Sequence, residues 1–158
     1  MKRFITDIYG QKYYIKVLEN SADLFHVELR HRGEYVGEVK CILRPPDMME
    51  LSEIHIRDDS DSLDPGASII ESIMKSQAKS KDEMRNYREK GLGTALLELV
   101  IDHAREKQLR HIYGTIVEKD IIRTPNLVEW YKKRGFKKGS PYPGCIEKAV
   151  AWIYLELN

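Results

Sequence analysis

The sequence predicts a single domain of the α/β (α+β) class, in which a mixed, mostly antiparallel sheet is flanked by helices. Three observations predict it. Residues 1–56 alternate apolar and polar side chains with a period of two, the mark of half-buried strands. A strongly amphipathic helical stripe runs from Leu92 to Ala104 behind a glycine-containing loop. Short β-rich runs return at 111–117, 136–138 and 149–157. A chain of 158 residues with 42% hydrophobic and 32% charged residues has the length and apolar content of one core, so the domain is read as 1–158.

Each element has a local reason. Residues 3–8 and 12–18 flank a turn at Tyr9-Gly10-Gln11. Residues 24–30 place Phe25, Val27 and Leu29 on one face. His31-Arg32-Gly33-Glu34 is a hairpin connection, and 35–43 continue the sheet. Pro45-Pro46 ends that strand, because proline has no N–H for a ladder. Residues 49–56 form the next strand. Simple alternation puts Ser52, Ile54 and Ile56 on one face and Leu51, Glu53 and His55 on the other.

The period then changes. Asp64-Pro65 reads as an N-cap and first helical residue, followed by Ile69, Ile70, Ile73, Met74, Gln77 and Ala78 at helical spacing. Residues 80–87 are polar and read as loop. In the next helix Leu92, Ala95, Leu96, Leu99, Val100, His103 and Ala104 form one stripe, with Arg105, Lys107 and Arg110 at its negative end. His103 on that stripe reads as a packed core histidine. Residues 126–134 form a short helix stopped by Gly135, the residue best able to take a left-handed cap.

Composition excludes several classes. No apolar run approaches the roughly 18 residues needed to cross a membrane. The first residues lack the long apolar stretch of a secretory signal, so a cytoplasmic location is expected. Cys41 and Cys145 are then expected to be reduced. No Cys/His spacing indicates a metal, and a net charge of +1 argues against a nucleic-acid partner. The charge is nonetheless uneven. Residues 47–64 hold Asp47, Glu50, Glu53, Asp58, Asp59, Asp61 and Asp64 against Arg57 alone. Residues 132–138 hold Lys132, Lys133, Arg134, Lys137 and Lys138 with no acid.

The most informative segment is Arg88-Glu89-Lys90-Gly91-Leu92-Gly93, directly before the strongest helix. The first N–H groups of a helix lack internal partners, and its dipole adds positive charge there. Glycines remove the Cβ atoms that would keep a phosphate away. Arg88 or Lys90 can add charge. A Walker loop is absent, and a dinucleotide fingerprint would need a small residue where Leu96 stands. A spacing of Arg/Gln-x-x-Gly-x-Gly/Ala opening a long helix fits. A plain turn before a helix is the competing reading.

The stretch Asn86-Tyr87-Arg88-Glu89-Lys90-Gly91-Leu92-Gly93-Thr94-Ala95-Leu96-Leu97 resembles the acetyl-CoA-binding motif of the GCN5-related N-acetyltransferase family. About forty residues on, Trp130-Tyr131-Lys132-Lys133-Arg134-Gly135-Phe136 is similar to that family's second motif. The resemblance runs from Met49 to Phe136. It implies a fold with two splayed central parallel strands, 49–56 and 111–117. It also implies an acetyl-CoA-dependent transfer of an acetyl group to a primary amine, small molecule or peptide, by direct attack.

By that resemblance the backbone of Ile54, His55 and Ile56 pairs with the pantetheine arm. The N–H groups of Arg88, Glu89, Lys90, Gly91, Leu92, Gly93 and Thr94 hold the pyrophosphate. Tyr131 matches the tyrosine that protonates the departing thiolate, a plausible acid for a thiolate of comparable basicity. A backbone N–H near Ile56 can donate to the acetyl oxygen. Glu53, His55 and Glu118 are the candidate bases. No metal is implied. A non-catalytic acyl-CoA sensor or interaction module is the alternative, since it would need neither Tyr131 nor a base.

Three departures from the family stand out. Residues 57–86 form a helical insert, expected to cover the acceptor site or make a homodimer contact. The pair of helices that usually follows the first strand is missing. Thr124 stands where an asparagine often lies, with Asn126 two residues on as a substitute. The acidic stretch beside the site points to a cationic acceptor.

Overall fold

The period-two run of residues 1–56 folds into five consecutive antiparallel strands. In the computed structural model, which describes residues 1–58, 87–139 and 149–158, these are β1 (Phe4–Thr6), β2 (Lys12–Asn20), β3 (Leu24–His31), β4 (Glu34–Arg44) and β5 (Met48–Ile56). Helix α1 (Leu92–Glu106) leads to β6 (His111–Ile116), and the short helices α2 (Glu118–Arg123) and α3 (Leu127–Lys132) follow. Strands β7 (Lys137–Lys138) and β8 (Ala151–Glu156) complete a sheet of order β1-β2-β3-β4-β5-β6-β8-β7. Among the described residues, its one parallel pair is β5 with β6. The expected helix after Asp64, Asp59, Asp61 and Cys145 lie outside the described residues. Among the described residues, no helix is long and apolar enough to cross a membrane.

The turns use the chemistry their positions demand. Arg32 and Gly33 both have positive φ, as the tight β3–β4 hairpin requires. No helix separates β1 from β2. Buried Asp7 closes that hairpin by accepting the N–H groups of Tyr9 and Gln11 and the Tyr13 hydroxyl, each at 2.9 Å. Burial opposes the ionisation of Asp7, yet the donors from Gln11, Tyr13 and Tyr9 together hold its pKa below the usual carboxylate value. Proline ends β4 as expected, and the Pro45-Pro46 peptide is cis.

The core lies between α1 and one face of the sheet, here called the inner face. Phe25, Val27 and Leu29 of β3 join Val39 and Cys41 of β4 and Met49 and Leu51 of β5. From α1 come Leu92, Leu96, Val100 and Ala104, and also Leu97 and Ile101, so the buried face is wider than the stripe. Cys41 is a free thiol here, and burial pushes its pKa up to about 12.

His103 is the packed histidine that its place on the stripe predicts. It is buried and stacked on Phe25 with ring centroids 3.8 Å apart, and neither ring nitrogen has a hydrogen-bond partner. Burial, then Lys107, lowers its pKa below the ordinary 6.5. The unfolded chain therefore binds the proton more readily. Stability is fully present above about pH 6.5 and falls as the pH drops toward the native pKa. His103→Leu is expected to flatten that acid loss and to add roughly 1–3 kcal/mol at pH 5.5, with a smaller gain at pH 8. Urea unfolding at the two pH values checks this, and a gain independent of pH would contradict it.

Strand β5 departs from simple alternation. Lys40 pairs with Glu53 and Cys41 with Leu51, which leaves Ser52 as an extra residue, a β-bulge. One inserted residue inverts the phase of everything after it. Leu51 therefore shares the inner face with Ile54, the partner of Val39, and not with Glu53 and His55. The assignment of Leu51 to the Glu53 face is corrected, as is that of Ser52 to the Ile54 face. Glu53 and His55 do share the outer face, opposite Lys40 and Glu38.

Gly37 of β4 explains how this end of β5 is held. A Cβ there would collide with the His55 carbonyl oxygen and stand 3.2 Å from Ile56 Cα. Backbone atoms cannot swing aside, so any side chain displaces β5. Gly37→Ala is expected to cost about 1–3 kcal/mol in urea unfolding, the usual size of an overpacking penalty. A stability within 0.3 kcal/mol of wild type, on the order of the additivity error, would show that the strand yields freely.

Candidate active site

The parallel pair opens halfway along. Four registered pairs join β5 to β6, from Met48–His111 to Leu51–Gly114, and no pair follows. The strands part at the bulge. Beyond it, among the described residues, no strand pairs with 52–56 on the β6 side, while β6 continues along β8. The result is a wedge between Ser52–Ile56 and Thr115–Ile116, as the splayed-strand expectation requires.

The glycine loop closes the wide end of this wedge. Gly91 is the N-cap of α1 with φ of 78°, and Glu89 also has positive φ. The first intrahelical bond runs from the Ala95 N–H to the Gly91 oxygen at 3.0 Å. Ahead of it stand the N–H groups that a helix leaves without internal partners. The first turn of α1 carries no acid. A Cβ on Gly93 would lie 3.9 Å from Ile56 and 3.6 Å from Trp130, so the loop meets both the C-terminal end of β5 and helix α3. The loop is also tied to the first hairpin by the Ile8 N–H, which donates to the Lys90 oxygen at 3.0 Å.

The two basic side chains expected to add charge are turned elsewhere. Arg88 donates to the Thr124 hydroxyl at 2.8 Å and to Asp58 at 3.3 Å. Lys90 lies over the Tyr87 ring, 5.5 Å from its centroid. Arg123 donates to the same Asp58 carboxylate and to the Ile56 oxygen, at 3.3 and 3.4 Å. Asp58 thus bridges the end of β5, the loop and α2. Sequence reading assigned no role to Arg123 and gave Thr124 only as a replaced asparagine. Asn126 is exposed at the N-cap of α3 and caps it with no side-chain bond.

Other acids of the 47–64 stretch also have arginine partners. Glu50 accepts from Arg44 at 2.8 Å and from the Tyr113 hydroxyl at 3.3 Å, and Asp47 lies 3.9 Å from Arg110. Of the candidate bases, Glu53 is exposed and His55 half-buried on the outer face. Glu118 is exposed at the first position of α2, just past the end of β6. Helix α2 itself was not expected, because its six residues are too few to show a period.

Tyr131 lies on the other side of the sheet from Glu53 and His55. It is buried in the inner cluster, edge-on to Trp130 and Phe136. Burial, then the Asp120 carboxylate, raises its pKa above the ordinary value near 10, so the hydroxyl stays protonated. Asp120 is held by the Val117 N–H at 2.9 Å. Carboxylate and imidazole groups thus stand on the outer face of β5, and a buried phenol stands in the inner cluster on the other side of the sheet. That arrangement can take a proton on one face and deliver one on the other. Among the described residues, no three His, Cys, Asp or Glu side chains stand together as metal ligands would.

The sequence profile of the Acetyltransferase (GNAT) family matches residues 2–136. This chain belongs to that family. The GNAT resemblance carried by the two motifs is borne out, and the mixed sheet with its opened parallel pair is a GNAT fold. No curated protein matches the chain in sequence. Solved structures share the fold at low identity. The GNAT domain of S. lividans PAT is 11% identical, with a TM-score of 0.65 over 98% of this chain and 96% of that one. A GNAT family acetyltransferase from Staphylococcus aureus Mu50 is 16% identical, with a TM-score of 0.58 over 87% and 70%. A GNAT acetyltransferase from Elizabethkingia anophelis, solved with acetyl-CoA bound, is 14% identical, with a TM-score of 0.54 over 85% and 77%.

Proposed function

We propose that this GNAT chain transfers an acetyl group from acetyl-CoA directly to a primary amine that arrives protonated and hence cationic. One observation supports the reading above the others: β5 parts from β6 after Leu51, and its Ile56 end lies beside Gly93 at the N-terminus of α1. Main-chain groups of Ile54, His55 and Ile56 offer a strand partner to an extended arm, and the N–H groups from Gly91 to Thr94 offer donors to a diphosphate. The cradle at Gly91 suits such a group, because any Cβ there would be strained and would crowd Ile8 at 2.9 Å.

The amine enters from the outer face and gives up a proton to Glu53, to His55 or to a water they hold. Its nitrogen then attacks the acetyl carbon while a main-chain N–H of segment 52–56 donates to the carbonyl oxygen. The carbon–sulfur bond breaks, the Tyr131 hydroxyl gives its proton to the sulfur, and the second proton of the acylated nitrogen leaves to solvent or restores the Tyr131 hydroxyl. Burial raises the tyrosine pKa, but it raises that of a neighbouring thiol as well. Acid and leaving group are thus shifted in the same direction, which keeps the transfer feasible.

The test is a calorimetric titration with acetyl-CoA, followed by thiol release with a panel of diamines, polyamines and lysine peptides. Saturable binding with amine-dependent thiol release is expected. A protein that binds no acetyl-CoA would refute the proposal.

A further inference from the structure

Among the basic residues of 132–138, Arg134 differs in kind. Lys132, Lys133, Lys137 and Lys138 are exposed, and Lys132 pairs with Glu129 at 3.3 Å. Arg134 is half-buried and turned back toward the glycine loop. Its Nη2 donates to the Thr94 hydroxyl at 2.6 Å and its Nη1 to the Trp130 oxygen at 3.0 Å. The guanidinium lies over the Trp130 indole, 4.9 Å from the centroid, and among the described residues its buried Nε has no partner. Thr94 is the third residue of α1, so this cation is fixed in the first helical turn beside the unpaired N–H groups.

We propose that Arg134, rather than Arg88, is the side chain that meets the phosphate groups at the nucleotide end of coenzyme A; this rests on the acetyl-CoA reading above. Two facts carry the exchange of roles. Arg88 already has an anion, since Asp58 accepts from it. Arg134 is held only by neutral groups, and among the described residues no carboxylate partners its charge. A half-buried cation without a counter-ion is disfavoured in the empty protein, and a bound polyanion removes that penalty. The planar fork of arginine suits phosphate oxygens.

The experiment is calorimetric titration of coenzyme A into the full chain at several salt concentrations, with wild type, Arg134→Gln, Arg134→Lys and Arg88→Gln. Arg134→Gln is expected to raise Kd about tenfold to a hundredfold, the size of a lost charge-assisted bond. It is also expected to flatten the salt dependence, because one fewer charge is screened. Arg134→Lys is expected to keep the wild-type salt dependence with a smaller loss, and Arg88→Gln to lose less than Arg134→Gln. If the glutamine variant does not fold, Arg134→Met keeps the stem over Trp130 and serves in its place. An uncharged variant within threefold of wild type overturns the proposal. So does a loss of affinity with unchanged salt dependence, which would mark Arg134 as packing alone. Failure of wild type to bind coenzyme A would instead overturn the acetyl-CoA reading itself.

Discussion

Tyr131→Phe is expected to lower acetyl transfer by about 10²- to 10⁴-fold while leaving the affinity for acetyl-CoA within about twofold of wild type. The change removes one oxygen from a ring packed edge-on against Trp130 and Phe136, at centroid distances of 4.8 and 5.3 Å. The ring stays in the inner cluster, so the fold and the phosphate loop are not disturbed. The thiolate, however, must then leave without a proton donor. Because burial and Asp120 raise the tyrosine pKa above 10, the hydroxyl is protonated at every pH used for assay. Any fall in rate between pH 8 and 9.5 therefore belongs to another group, and the Phe variant should keep the same profile at a lower level. Turnover near wild type in Tyr131→Phe would remove the phenol from the mechanism. Binding of acetyl-CoA without transfer by wild type, across a broad amine panel, would favour a sensor of acyl-CoA.

How much of this was legible in the sequence depends on the scale of the feature. Alternation at Phe25, Val27 and Leu29 follows from the geometry of one strand, and all three are buried. Gly135 stops α3 with a φ of 92°, as a left-handed cap must. The loop before Leu92 was readable because its chemistry is carried by backbone and glycine in one short run. The bulge at Ser52 was not, since an inserted residue leaves no composition signal and appears only in the register with β4. The partners of the arginines were equally hidden. Arg88 to Thr124 spans 36 residues and Arg134 to Thr94 spans 40, and no local rule ranks such pairs. Asp7 ahead of Gly10 carries the local signal of an Asx-type turn. Its bond to Tyr13 depends on both facing inward. Acidic residues counted as a patch were misleading for the same reason, because Glu50 and Asp58 have arginines that approach from other elements.

Gly91→Glu is expected to weaken acetyl-CoA binding at least a hundredfold with a much smaller effect on stability. A glutamate at this N-cap has a positive φ to hold, which costs on the order of 1–3 kcal/mol in a non-glycine residue. Its Cβ would approach Ile8 Cγ2 at 2.9 Å, a methyl on a β-branched side chain that must turn about χ1 to make room, into the solvent to which Ile8 is largely exposed. Against this strain, a carboxylate beside the N-terminus of α1 is favourable, by about 0.3–1 kcal/mol, and the first turn has no acid of its own. The substituted side chain can thus accept from the same N–H groups that a diphosphate would use. It competes from within the chain and repels the phosphate as well. Gly91→Ala separates these effects. It keeps the strain and the Ile8 contact without the charge, so it should retain most of the affinity and lose a similar amount of stability. Calorimetry and urea unfolding on the pair measure both quantities. If glutamate and alanine weaken binding equally, the loop acts through its backbone shape. If neither changes it, the N-terminus of α1 does not hold the phosphates, and the placement of the whole ligand along β5 must be abandoned.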